Sequence, residues 1–218
     1  MSVNGKCIVV GAGHFDMDKL PVEAEDFVIA ADGGYDYCQK IGVIPDLILG
    51  DFDSMDLAAK LEMMQRKDRE PEKILTLPTE KDDTDTLAAL REGLKRGYRD
   101  FEIYGSQGGR LSHTMANMQC LMFLKENGAD GCLIEKNSRV FLIREETTVL
   151  PESWKGYCSL FSFGEKAEGV SIRNMKYELE NAQLCNSFPI GVSNEFVGRE
   201  AVIIVQKGTV LAICEFQP

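Results

Sequence analysis

The stretch Leu47-Ile48-Leu49-Gly50-Asp51-Phe52-Asp53-Ser54 decides how the rest of the chain is read. Three consecutive apolar residues read as a short buried strand, and Gly50 lets the backbone turn out of it, so Asp51 and Asp53 fall at the strand's carboxyl end. Open α/β sheets bind their ligands at that edge. Carboxylates crowded there repel one another and raise each other's pKa unless a cation lies between them, and hard oxygen donors of this kind suit Mg²⁺. A nucleotide phosphate is the usual reason to hold Mg²⁺ in that way.

Working outward, the first 132 residues alternate strand-like and helix-like segments. Cys7 to Val10, Phe27 to Ala31, Ile74 to Leu77, Phe101 to Tyr104 and Cys132 to Ile134 are apolar runs short enough for buried parallel strands. Helices are expected over Tyr35 to Ile41, Leu57 to Arg66, Asp83 to Arg96 and Leu111 to Glu126, three of them stopping at or before a glycine. The alternation predicts an α/β fold, a parallel sheet with helices on both faces, over residues 1–132. Beyond Val140 the pattern changes to short β-prone runs at Val140 to Ile143, Tyr157 to Phe163, Ala201 to Val205 and Thr209 to Phe216. Residues 133–218 are therefore expected to form an all-β domain, a small sandwich or barrel, with Trp154, Tyr157, Phe161 and Phe163 in its core.

The chain has 218 residues, 44% of them hydrophobic, and 24 basic against 35 acidic residues give a formal charge of −11. That charge opposes nonspecific binding to nucleic acid or an anionic membrane, so neither is expected as a partner. The start runs straight into a strand-like segment with no basic and apolar leader, which leads to the expectation of a cytoplasmic protein. Seven cysteines form no Cys-x-x-Cys pair and sit mostly in apolar segments, as reduced core thiols do. With only His14 and His113, a zinc site is not expected.

Other segments carry chemistry. Asp32 ends an apolar run and is followed by Gly33-Gly34, which permits close approach to a ligand, although Asp32 would equally serve as N-cap of the next helix. Lys81-Asp82-Asp83-Thr84-Asp85-Thr86 opens another helix. Acids in a first turn suit the helix dipole, but three are more than that explains, and Asp85 could complete a cation site. Gly105-Ser106-Gln107-Gly108-Gly109-Arg110 leaves a strand and enters a helix, an arrangement that aims backbone N–H groups at phosphate, with Arg110 adding a forked cation. His113 and Asn117 follow four apart on one helix face, where a lone histidine is more often structural than catalytic. Gly11-Ala12-Gly13 begins like a dinucleotide fingerprint, but Asp16 stands where the third glycine belongs, so a tight turn is the expectation. Gly191-Val192-Ser193-Asn194-Glu195 makes a polar bend between β segments, suited either to a heterocycle or to an ordinary turn.

Taken together, Asp32-Gly33-Gly34, Pro45-Asp46 running to Gly50-Asp51-Phe52-Asp53-Ser54, Lys81-Asp82 with Thr84-Asp85, Gly108-Gly109-Arg110 with His113 and Asn117, and Ser193-Asn194 resemble the thiamine pyrophosphokinase family in order and spacing. The resemblance implies an α/β nucleotide-binding domain followed by a β-sandwich that binds thiamine, assembled as a homodimer with thiamine in clefts between subunits. It implies transfer of the diphosphate of ATP to the hydroxyethyl oxygen of thiamine. By motif position Asp51, Asp53 and Asp85 would hold Mg²⁺ and the triphosphate, with Asp32 beside them as a further catalytic residue. Gly33, Gly108, Gly109, Arg110, His113 and Asn117 would bind ATP, while Ser193, Asn194 and Asp82 would bind thiamine. One departure stands out: Arg110-Leu111-Ser112-His113 carries serine where the family commonly has aspartate, leaving Ser112 as a candidate helix cap. Two other readings remain, a diphosphokinase acting on another alcohol such as a hydroxymethylpterin, and a non-catalytic homologue that binds thiamine or nucleotide.

Overall fold

The computed structural model describes residues 3–52, 57–78 and 83–217. The chain divides into two compact units, Met1–Glu135 and Lys136–Pro218.

The first unit alternates strand and helix: β1 (Cys7–Val10), β2 (Phe27–Ala31), α1 (Gly34–Ile41), β3 (Leu47–Gly50), α2 (Leu57–Arg69), a 3-10 turn (Pro71–Lys73), β4 (Ile74–Thr76), α3 (Asp85–Lys95), β5 (Asp100–Tyr104), α4 (Leu111–Glu126) and β6 (Asp130–Glu135). Its strands lie in the order β6-β5-β1-β2-β3-β4. Every pairing among them is parallel. The apolar runs of β1, β2 and β3 become strands buried on both faces, as the middle of such a sheet requires, while β4 at its edge buries Ile74 and leaves Leu75 exposed. Ile8, Val10, Val28, Ala30 and Ile48 pack with Tyr35 and Cys38 of α1 and Met63 of α2. On the other face a Cβ at Gly93 of α3 would lie 2.7 Å from Cys7 Sγ and 2.6 Å from the Phe101 ring, so α3 approaches the sheet closely there. Helix α3 begins at Asp85, two residues after the expected Asp83, because Thr84 is its N-cap and its Oγ1 accepts a hydrogen bond from the Leu87 N–H at 3.2 Å.

After β1 the chain adds β2, β3 and β4 outward on one side, and then α3 carries it back to place β5 on β1's other edge. The junction of β1 and β5 is thus a topological switch point, with the loops after both strands diverging from it. Those loops are Gly11–His14 and Gly105–Arg110.

The second unit is a β-sandwich. Strands β7 (Ser138–Arg144), β8 (Thr147–Leu150), β9 (Gly156–Ser162), β10 (Lys166–Arg173), β11 (Leu179–Cys185), β12 (Asn194–Glu195), β13 (Ala201–Ile204) and β14 (Thr209–Phe216) form two antiparallel layers, β12-β9-β14-β7 and β11-β10-β13-β8. Ile143, Cys158, Leu160 and Ala212 of one layer meet Leu150, Val170, Ile172, Leu184 and Ile203 of the other in a single core. Trp154 packs against it, edge-on to Phe196 and Phe216. Tyr157 does not belong to this core: on β9 the alternation sends Cys158 and Leu160 inward, which leaves Tyr157 exposed and Phe161 half-buried.

Candidate active site

The two switch-point loops are zipped together by backbone hydrogen bonds. Gly11 N–H donates to the Tyr104 carbonyl at 2.8 Å, Gly13 N–H to the Gly105 carbonyl at 2.8 Å and His14 N–H to the Gln107 carbonyl at 2.6 Å. Such contact leaves no room for side chains at the crossing. A Cβ on Gly13 would lie 2.5 Å from the carbonyl oxygens of both Gly105 and Gln107, and one on Gly105, whose φ is +58°, would lie 2.6 Å from the Gly11 oxygen. The Gly11-Ala12-Gly13 sequence is a bend held by bonds to the neighbouring loop, and its glycines answer to that loop.

A cleft of about 510 Å³ opens at this junction. Gly11 to Gly13 and the Gly105–Arg110 loop line it, joined by Asp32 after β2, by Asp83 to Thr86 at the start of α3, and by His113 and Asn117 of α4. Segments distant in sequence therefore bring Asp32, Asp85, Gly108, Gly109, Arg110, His113 and Asn117 to one site. Gly33 is not among the described lining residues and instead forms the N-cap of α1.

Asp32 is held in an unusual conformation, with φ of +49°, its N–H donating to the Leu49 carbonyl at 2.8 Å and its carbonyl accepting from Tyr35 N–H at 3.1 Å. The left-handed region costs an L-residue about 1–2 kcal/mol, and such cost is concentrated at ligand sites. The N-cap position of α1 is taken by Gly33, one residue after Asp32. Its Oδ1 oxygen is buried. Asp51 follows β3, which pairs directly with β2, but it is not among the described residues that line the cleft. Asp53, Ser54, Lys81 and Asp82 lie outside the described residues.

On α3, Thr84 is the N-cap and Asp85 opens the first turn, while Asp83 pairs with Arg91 at 2.9 Å. Arg110 and His113 are exposed at the cleft. Asn117 is buried and donates from Nδ2 to the Ser106 carbonyl at 2.6 Å, so it fixes the glycine loop from α4. Ser112 lies within the first turn of α4, whose N-cap is Arg110 with no side-chain cap bond; the capping role expected of Ser112 is not realised.

Glu135, at the end of β6, was not anticipated. Its Oε1 accepts from the N–H groups of Ser106 and Gln107, each at 3.2 Å. Burial pushes its carboxyl above the ordinary range, against the opposing pull of those two backbone donors and of His14. The signal was present in Cys132-Leu133-Ile134-Glu135, an apolar run ending in an acid like those that precede Asp32 and Asp51.

In the β-sandwich, Asn194 is buried, its Oδ1 accepting from the N–H groups of Tyr177 and Glu195 and its Nδ2 donating to the Tyr177 carbonyl. Ser193 beside it is exposed, with φ of +59° and its N–H donating to Ser159 Oγ at 3.0 Å.

Residues 19–133 match the thiamin pyrophosphokinase catalytic domain, and residues 144–210 match the vitamin B1 binding domain of the same enzyme. The chain belongs to the thiamin pyrophosphokinase family. Asp32, Asp51, Asp85 and the Gly105–Arg110 loop all lie within the catalytic-domain match, and Ser193 and Asn194 within the other. Thiamine pyrophosphokinase of Bacillus subtilis (strain 168) is 26% identical over 186 residues, which make up 85% of each chain. The solved structure of thiamine pyrophosphokinase from that organism superposes with a TM-score of 0.86 at 24% identity, covering 99% of this chain and 100% of that one. The yeast thiamin pyrophosphokinase structure superposes at 0.73 with 19% identity, covering 100% of this chain and 87% of the other. These likenesses extend the family's α/β-plus-sandwich fold to nearly every residue here.

Proposed function

We propose that this chain transfers the diphosphate of ATP to the hydroxyethyl oxygen of thiamine, forming thiamine diphosphate and AMP. The observation that carries this reading is the convergence of Asp32 and Asp85 with Gly108, Gly109 and Arg110 on one cleft at the sheet's switch point. Carboxylates and phosphate-binding groups in one cleft suit a metal-chelated triphosphate better than either a free anion or a free cation.

The donor set fits Mg²⁺. Nucleotide sites hold that ion through one or two carboxylates together with phosphate oxygens and waters, and Asp32 and Asp85 supply hard oxygens in that number within the cleft. Asp51 and Asp53 would add to them from the end of β3. When bound, Mg²⁺ would neutralise charge on the phosphate oxygens as the diphosphate moves.

The chain's own groups align and stabilise. The hydroxyethyl oxygen forms a bond to the β-phosphorus in line with the bond that breaks, which joins that phosphorus to the oxygen bridging it to the α-phosphate. AMP leaves with the bridging oxygen, and the hydroxyl proton passes to a carboxylate, Asp85 or Asp53. Arg110 stabilises the spreading charge, and Gly108 and Gly109 allow backbone approach to the phosphates. Asp82, Ser193 and the bend braced by Asn194 would contact thiamine, in a homodimer whose subunits each complete the other's thiamine cleft. The seven free cysteines suit a cytoplasmic, reducing setting.

The test is one incubation with ATP, Mg²⁺ and thiamine in which both products are identified. Thiamine diphosphate and AMP in equal amounts are expected; thiamine monophosphate with ADP, or no turnover, overturns the assignment.

A further inference from the structure

The nucleotide reading leaves open what gives the Gly105–Arg110 loop its shape. A glycine-rich loop is conformationally free, and freedom is lost on binding a phosphate unless something has already removed it. The structure shows that restraint applied to only part of the loop. The peptide groups of Ser106 and Gln107 are fixed on both sides: their N–H groups both donate to Glu135 Oε1 at 3.2 Å, while their carbonyls accept from Asn117 Nδ2 and from the His14 N–H, each at 2.6 Å. Ser106 Oγ adds a longer contact to the same Glu135 oxygen at 3.5 Å. Gly108 and Gly109 follow with φ of +81° and +65°, exposed at the cleft.

Two of the backbone donors that the loop could offer an anion are therefore occupied by the chain's own carboxylate. We infer that Glu135 is a positioning residue for the nucleotide: it takes up the Ser106 and Gln107 N–H groups and so leaves Gly108, Gly109 and Arg110 to meet the phosphates. It acts as a hydrogen-bond acceptor, and a neutral amide oxygen at the same place performs the same task. This rests on the reading of the cleft as an ATP site. Nothing in the family match or in the motif positions assigns a role to Glu135.

The experiment compares wild type with Glu135→Ala and Glu135→Gln by ATP titration in the presence of Mg²⁺, by steady-state kinetics and by amide hydrogen exchange over the loop. Losing the acceptor strands two N–H groups, so E135A should raise Kd and KM for ATP by about fivefold or more, with KM for thiamine within about twofold of wild type. Exchange at Ser106 and Gln107 should quicken in E135A, whereas E135Q should restore both ATP affinity and protection. Should E135A melt too low to titrate, Glu135→Asp, which retracts the carboxylate by one methylene, carries the same expectation as E135A. A folded E135A with wild-type ATP affinity overturns the inference, as does an E135Q as impaired as E135A, or equal losses for ATP and thiamine. Wild-type protein that binds no ATP overturns the nucleotide reading as well; wild-type protein that binds ATP while E135A binds it equally well overturns this inference alone.

Discussion

Asn194 grips the backbone of Tyr177 from both sides, its Oδ1 accepting from the Tyr177 N–H at 2.9 Å and its Nδ2 donating to the Tyr177 carbonyl at 2.7 Å. A buried amide used in this way is a brace between two distant segments of the β-sandwich. Truncation by Asn194→Ala strands the N–H and the carbonyl of Tyr177 together with the Glu195 N–H, at a cost of about 1–3 kcal/mol. Thermal unfolding should show the loss directly. An unchanged melting temperature with a raised KM for thiamine would instead mean that the amide serves the ligand.

The crossing of the two switch-point loops gives a second prediction. Gly105→Ala places a methyl 2.6 Å from the Gly11 carbonyl oxygen and forces an L-residue to φ of +58°, and neither backbone can retreat without breaking the zipper. Overpacking of this kind costs about 1–3 kcal/mol. Gly109→Ala is the contrast, since no atom lies within 4 Å of its added Cβ, leaving only the strain of φ at +65°. Denaturant titration should rank G105A well below G109A in stability.

If Asp51 and Asp85 hold the metal and the triphosphate, their carboxylates are needed for turnover and not for folding. Asp51→Asn and Asp85→Asn should each melt close to wild type and lose about a hundredfold or more in kcat. Added Mg²⁺ should recover part of the loss if the defect is in metal affinity. Wild-type rates in both variants would remove the cation model.

How much of this was readable in the sequence depended on what kind of signal each element carries. The parallel sheet was legible because strands such as Cys7–Val10 and Phe27–Ala31 are buried on both faces and so are uninterrupted apolar runs. Strands β10 and β11 were not anticipated. Gly169 interrupts β10 with φ of +66°, the β10–β11 register shifts twice, and β11 is an edge strand with Leu184 as its one buried residue, so neither shows a clean alternation. Asp32 and Asp85 could be placed at the cleft because each adjoins an element whose type was clear. The bracing roles of Asn117, Asn194 and Glu135 could not, because an amide or carboxylate that holds a loop has the same local sequence as one that holds a ligand. Asp53 and Asp82 lie outside the described residues, and their part in the site stands on motif position alone.

Thiol reactivity offers a check on the core. Burial pushes the Cys7 thiol up to about 12 and those of Cys38 and Cys120 up to about 11, so at pH 8 almost none of the three is thiolate. Cys158 and Cys214 are also fully buried, whereas Cys132 and Cys185 are half-buried. In native protein a disulfide reagent at pH 8 should label Cys185 and Cys132 first, and all seven only after denaturation. Early labelling of Cys7 would contradict the packing of α3 on β1.

Glu135 also makes stability depend on pH in a direction opposite to that of a salt-bridged carboxylate. Its folded-state pKa is raised because burial penalises the charge more than the two N–H groups and His14 favour it. A raised folded value means that the protonated form is the one favoured by folding. The contribution is fully present below the unfolded carboxylate range near 4.3, and it is lost as pH rises through the higher folded value. Gln at this position keeps an acceptor for Ser106 and Gln107 and has no charge to bury. The melting temperature of Glu135→Gln minus that of wild type should therefore grow more positive between about pH 4 and pH 7, other titrating groups being common to both proteins. A difference that stays flat, or that moves toward wild type as pH rises, would mean that the loop donors outweigh burial and that the charged carboxylate itself stabilises the fold.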